Sequence, residues 1–335
     1  MAISTRYVNT FSTIGGDGTT NSTTGASRAY PSLEAWQDAE KTNLVTAGNI
    51  AEVICSGGRD ESKLTISGWT IGPSNYILIH AVDDRHNGVF DDSKYYFSGD
   101  SVATRFNIAQ GYVYIEDLQF TRPTPTSSSA DRSVIAWTSS VGKQYVRRNI
   151  FRFDSNIIPG VISALAMNSS TPDYIITDNI FDNRLVDGGD NNVCIMGIGS
   201  SADAVIYNNT FINWPVAIDS RANYLVKNNI FQDCAVDIEG TINATNNYNL
   251  TDNASIGGLN SVTNTTLTFE DKVAFNFALS SSDSAAIGSG IGPALDSDVS
   301  LTDIVGESRS GAFTDIGAFV FVGGGGSGVS GDIEL

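Results

Sequence analysis

The chain is short of positive charge. Its 19 lysines and arginines face 37 aspartates and glutamates, a formal net charge of −18. Such a chain has no basic face with which to displace counterions from nucleic acid, and anionic lipid would repel it. Neither nucleic acid nor a membrane surface is therefore expected as a partner, and the acidity reads first as solubility. Charge of either sign is scarce, at 17% of residues against roughly 25% in ordinary domains. Cys55, Cys194 and Cys234 are the three cysteines. Their odd number and wide spacing exclude a disulfide framework and a paired-cysteine metal knuckle, so buried free thiols are expected. The two histidines, His80 and His86, read as loop residues and are too few for a histidine-rich zinc site. No apolar run approaches the roughly 20 residues of a membrane span. The opening MAISTRYVNTFSTIGG has no basic region followed by an apolar run, so synthesis in a cytoplasm without a secretory signal is expected. The triplets at Asn168 and Asn243 are then chance matches to a glycosylation motif. There is no GxSxG and no phosphate loop, and nothing points to a cofactor. The VGGGGSGVSGDIEL tail has no strand and helix around it and reads as a flexible linker.

Polarity comes instead from Asn, Ser, Thr and Gly, which favour turns over helix interiors. One amphipathic helix is expected within YPSLEAWQDAEKT (30–42), with Ser32 at its start and Leu33, Trp36 and Ala39 near one face. From residue 51 short β-branched and aromatic runs alternate with turn residues: AEVIC, KLTIS, YILIHAV and KYYFSG. A repeat then sets in. YVYIEDLQF, YVRRNIF, YIITDNIF, VIYNNTF and YLVKNNIF end at Phe120, Phe151, Phe181, Phe211 and Phe231, at spacings of 31, 30, 30 and 20 residues. Asn149, Asn179, Asn209 and Asn229 each stand two places before the phenylalanine, and INATNNYN is a fading sixth copy near Tyr248. Three short strands per repeat, with no helical period, predict a solenoid whose coils stack at roughly 4.8 Å. Asparagine suits the bend, since it tolerates a left-handed backbone and its amide can bond to the next coil. The phenylalanines should stack inside.

These features, together with the two ends of the chain, resemble the right-handed parallel β-helix proteins of the pectate-lyase-like superfamily. The RYVNTFSTIGGDGTT…RAYPSLEAWQDAE start looks like the opening strand, glycine-rich loop and capping helix of such proteins. Asp315, Ile316, Gly317, Ala318 and Phe319 look like their closing motif. The absent signal and RHNGVFDDSKYYFSG (85–99) resemble more specifically the versions encoded by tailed bacteriophages. The implied fold is all-β: a right-handed parallel β-helix with one N-terminal capping helix. The implied organisation is 1–50 for strand, loop and cap, 51–280 for the coils, 281–321 for the closing segment and 322–335 for the tail. The superfamily contains lyases, hydrolases, adhesins and inert structural parts, so fold does not decide function.

Lyases of this architecture need a Lys or Arg base, often with calcium, and hydrolases need two carboxylates at a set separation. Aligning the copies puts Arg152 beside Asp182 and Asp154 beside Arg184, which are candidates for catalysis or for cross-coil ion pairs. Lys143, Arg147 and Arg148 form the one local basic cluster, either a base site or a solvated strand edge. Asp187 and Asp190, in a glycine-containing acidic loop, are metal candidates without the spacing of a known calcium motif. Trp137 and Trp214 are candidates for stacking on sugar or for packing. The expectation is a structural or attachment component of a phage virion: a head decoration, tail fibre or spike. Its expected partners are other virion proteins, further copies in a homotrimer and a host glycan. The alternative is a lyase or glycoside hydrolase acting on an acidic polysaccharide.

Overall fold

A computed structural model describes residues 1–98, 106–122, 132–139, 141–153, 162–168, 173–183, 192–197, 203–220, 224–240 and 246–322. The chain is a right-handed parallel β-helix. Two sheets of eight strands and one of seven are parallel throughout. The first sheet runs from Ala2–Asn9 and Asn49–Ser56 through Val113–Glu116 and Lys143–Arg147 to Tyr224–Lys227. The second holds the phenylalanine strands, among them Gln119–Arg122, Ile150–Phe153, Ile180–Asp182, Thr210–Ile212 and Ile230–Gln232. The third includes Arg132–Trp137, Ile162–Met167 and Val216–Ser220.

The two-residue corner between the first and second sheets divides its work. Its first residue takes the left-handed backbone: Asp117, Arg148, Asp178, Asn208, Asn228 and Tyr248, with φ between 55° and 58°. The second is the ladder residue. The Nδ2 of Asn179 donates to Thr177 O in its own coil and Val146 O in the previous one, both at 2.9 Å, and its Oδ1 accepts the backbone N–H of Asn149 at 2.9 Å. Asn149, Asn209 and Asn229 repeat these contacts. Asn249 extends the ladder by accepting from Asn229 and donating to Val226 O at 2.8 Å, so the sixth copy is real. Inside the corner, Phe120, Phe151, Phe181, Phe211 and Phe231 stack at 4.7–5.0 Å with planes within 17° of parallel. The stack stops where Thr251 takes the phenylalanine position.

Ser32 caps the helix Leu33–Glu40 by accepting from Ala35 N–H, and Trp36 packs on Trp69 with centroids 5.5 Å apart over the end of the barrel. A second helix, absent from the sequence reading, is the single turn Leu44–Ala47 between an Asn43 cap and a left-handed Gly48. Four residues are too few to show a period. His80 also departs from expectation, since it ends the strand Ile77–His80 and pairs with Glu52 at 3.2 Å.

After Thr251 the chain turns back and lies along the outside of the second sheet. The outward side chains of that sheet, Ile150, Ile180, Ile212, Ile230 and Leu250, are buried against Leu267, Phe277, Ile304, Ile316 and Ala318 of this strap. The closing motif explains itself there. Gly317 has φ 94° and donates its N–H to Asn228 O at 2.7 Å. A Cβ on it would lie 2.2 Å from Ile230 Cδ1, so only glycine lets the strap come this close. All three cysteines are free and buried. Among the described residues, no helix is long and apolar enough to cross a membrane.

Candidate functional site

Arg152 and Asp182 are register neighbours in the second sheet, on its outer face under the strap. The Arg152 guanidinium lies 3.8 Å from the centre of the Phe90 ring and reaches Asp92 at 3.4 Å. The void left between Phe90, Arg152, Asp182, Phe275 and Phe277 is about 10 Å³, room for about one water and not for a sugar ring. The pair is therefore enclosed between the second sheet, the segment of Phe90 and Asp92, and Phe275 and Phe277 of the strap. Asp154, Arg184, Asp187 and Asp190 lie outside the described residues. Among those described, no three His, Cys, Asp or Glu side chains come together as a metal site would require.

The basic cluster splits by side-chain direction. Lys143 is exposed, opposite Asp173. Arg147 reaches Glu116 of the preceding coil at 2.7 Å. Arg148, at the left-handed corner, donates to both carboxylate oxygens of Asp117 at 2.9 and 2.8 Å and to Glu116 at 2.9 Å. Arg85 joins Asp117 at 3.5 Å. Burial works to raise the Asp117 carboxyl, but Arg148, Arg85 and His86 outweigh it and hold it below the usual range. His86 packs underneath. Its Nδ1 accepts Gly88 N–H at 3.2 Å, which leaves the proton on Nε2, 2.8 Å from Arg148 O. Both arginines are thus occupied by carboxylates.

One coil further on, the same corner column holds Asp178, which meets Arg309 of the strap at 3.2 Å with both side chains enclosed. Ser300 donates to its other oxygen at 2.6 Å, and Arg309 also donates to Asp315 O and Gly317 O at 3.0 and 2.7 Å. Burial pushes the Asp178 carboxyl up to about 6 against the pull of Arg309 and Ser300. Asp237 is likewise pushed up to about 6 by burial, while accepting from Thr251 and Asn253. Such carboxyls suit proton transfer when a substrate can reach them. Asp178 is closed off by the strap. The sequence reading missed this column, although aligning copies on the asparagine shows Asp117, Arg148 and Asp178 alternating in sign.

Trp137 and Trp214 are each 1% exposed. The first packs edge-on against Tyr174 at 5.4 Å, and the second donates its indole N–H to Phe181 O at 3.0 Å. Neither offers a face to a ligand.

An open groove of about 410 Å³ lies at the N-terminal end of the β-helix, along the first two strands of the first sheet. Tyr7 of the first strand, Thr19, Thr20 and Asn21 of the glycine-rich loop, Ile54, and Val82 with Asp83 line it. Backbone bonds fix the loop as a rim: Tyr7 N to Gly18 O at 2.9 Å, Gly18 N to Arg28 O at 3.0 Å and Ala29 N to Ser22 O at 2.8 Å. Gly18, at φ 69°, has the Tyr30 ring 2.3 Å from where a Cβ would stand. No protein-family model matches the chain, and no curated protein matches it.

Proposed function

We propose that the chain is a structural or attachment component of a tailed-phage virion, a head decoration protein, tail fibre or spike. The observation that carries this reading is the pair of internal ladders. Five asparagines and five phenylalanines connect successive coils from Phe120 to Thr251 without a break, and a long strap is clamped along the outside. An array in which each coil is bonded to both neighbours is stiff along its axis, and no inner coil opens without breaking its bonds to both. That suits a part that must persist outside a cell. The phage-like ends of the sequence support the viral setting. A polysaccharide lyase or hydrolase would instead need an accessible base or carboxylate pair. Arg147, Arg148 and Arg152 are each held by a carboxylate. The test is an antibody against the purified chain, applied to tailed-phage particles banded from the culture that produces it. Label on heads, fibres or spikes is the expected result. A chain found only in the soluble fraction sinks the reading. So does depolymerisation of capsule or alginate by the pure protein with loss of that activity in Asp182→Ala.

A further inference from the structure

We infer that the groove beneath the glycine-rich loop is a binding site for uncharged sugars. The inference rests on the attachment reading and gives it a site and a ligand class. It starts from which polar atoms in the groove are already spent. Asn9 Oδ1 accepts Phe11 N–H at 3.0 Å, which fixes the Asn9 amide with Nδ2 outward. That Nδ2 donates to Asn21 at 3.2 Å, and Ser56 Oγ donates to the same Asn21 atom at 2.6 Å. An atom that takes the Asn9 amide hydrogen must be Oδ1, and the Ser56 hydroxyl, which also lies 3.1 Å from Val8 O, can then only donate to it. The Asn21 NH2 is then turned away from both, and its two hydrogens meet no acceptor among the described residues. Tyr7 brings a half-buried ring and its hydroxyl. Thr20 Oγ1 has given its hydrogen to Ser27 O at 2.8 Å, accepts Ser22 N–H at 3.4 Å and retains one lone pair. Asp83 is exposed and brings a carboxylate that no side chain among the described residues engages.

The groove therefore offers an amide donor, a hydroxyl of either sense and a charged acceptor beside the apolar side chains of Ile54 and Val82. This is the complement of a sugar ring. A vicinal diol donates to a carboxylate and accepts from an amide, while the C–H face of the ring lies on apolar or aromatic carbon. Charge narrows the class. Among the described residues no lysine or arginine lines the groove, Asp83 stands in it, and the whole chain carries −18. Uronate and sialate residues would meet a carboxylate without a counter-charge, so neutral hexoses fit and acidic ones do not. A lone carboxylate lacks the ligand number that calcium takes, so a cation does not fit either.

The test uses the purified full-length chain. Short oligosaccharides cut from mannan, dextran and galactan are titrated by calorimetry, with oligogalacturonate as the acidic control. At least one neutral series should bind. Asp83→Ala should weaken it at least about tenfold, the loss of a hydrogen bond to a charged group. Tyr7→Phe should weaken it less, with unchanged unfolding curves for both variants. Three results overturn the assignment: no neutral series binds, oligogalacturonate binds as tightly, or both variants bind like the parent. A soluble protein that binds no neutral sugar removes the groove and leaves the virion reading intact. A sugar-binding chain that never labels a particle does the reverse.

Discussion

Asn208 and Asn209 are adjacent, identical and fully buried, yet replacing them should have very different consequences. Asn209 Oδ1 accepts the N–H of Asn179 at 3.0 Å, and its Nδ2 donates to Ile176 O at 2.8 Å and Tyr207 O at 2.9 Å. Asn209→Ala strands the Asn179 N–H in a dry corner and removes a donor from two carbonyls. A buried unpaired group costs about 1–3 kcal/mol and each lost bond about 1 kcal/mol, giving about 3–5 kcal/mol in all. Asn208 has φ 56°, and neither its Nδ2 nor its Oδ1 meets a partner among the described residues. Asn208→Gly relieves the left-handed backbone and deletes an unsatisfied amide, against the small cavity it leaves. Its net effect should stay within about 1 kcal/mol. Guanidinium unfolding, read as both midpoint and unfolding rate because a solenoid need not unfold in one step, separates the two variants. Equal losses would show that any corner asparagine is as good as another, and the ladder argument would be wrong.

The ladder was legible in the sequence because it repeats. Phe151, Phe181, Phe211 and Phe231, with an asparagine two places before each, announce a coil that makes the same corner every time. The left-handed bend was expected of asparagine as such, yet Asn149, Asn179, Asn209 and Asn229 do not take it and the residue before each does. Asp117, Arg148, Asp178 and Tyr248 share that first corner position, so residue type matters less there than backbone shape. The strap was legible only as a closing motif. Asp178 and Arg309 are 131 residues apart, and no period links them. Trp137 and Trp214 sit beside loops in sequence, where an inward and an outward ring leave the same trace. The groove depends on Asn9, Asn21 and Ser56 meeting one another, in a stretch whose Gly, Thr and Asn content signals only a turn. Repetition reports the scaffold. Contacts made once, between distant segments, carry the features that distinguish this chain from any other solenoid.

Three further outcomes follow from the same contacts. Phe181→Ala, which removes a ring stacked at 4.9 Å on one side and 5.0 Å on the other, should cost about 3–5 kcal/mol by thermal or denaturant unfolding; a loss under about 1 kcal/mol would mean the stack collapses freely. Arg309→Met leaves the Asp178 carboxylate buried without its cation and should cost about 3–5 kcal/mol, with early protease cleavage inside 285–320; a strap as resistant as the parent's would show that the clamp is idle. The pH dependence isolates His86. Burial lowers its imidazole to about 4, from 6.5 in an unfolded chain. Between those values the unfolded chain takes up a proton that the folded chain refuses, so this term costs stability as pH falls, about 3 kcal/mol in total. Asp178 and Asp237, raised to about 6, act in the opposite sense: their contribution is full below the unfolded carboxyl range and is lost as pH rises through 6. The parent's own curve is a sum of both and tests neither. The difference between His86→Gln and the parent cancels the carboxyls, since glutamine can bond Arg148 O and Gly88 N–H without titrating. That difference should move by about 3 kcal/mol in favour of glutamine between neutral pH and pH of about 4. A difference that does not vary with pH would mean that His86 is protonated in the folded chain, and that the corner beneath Arg148 is open to water.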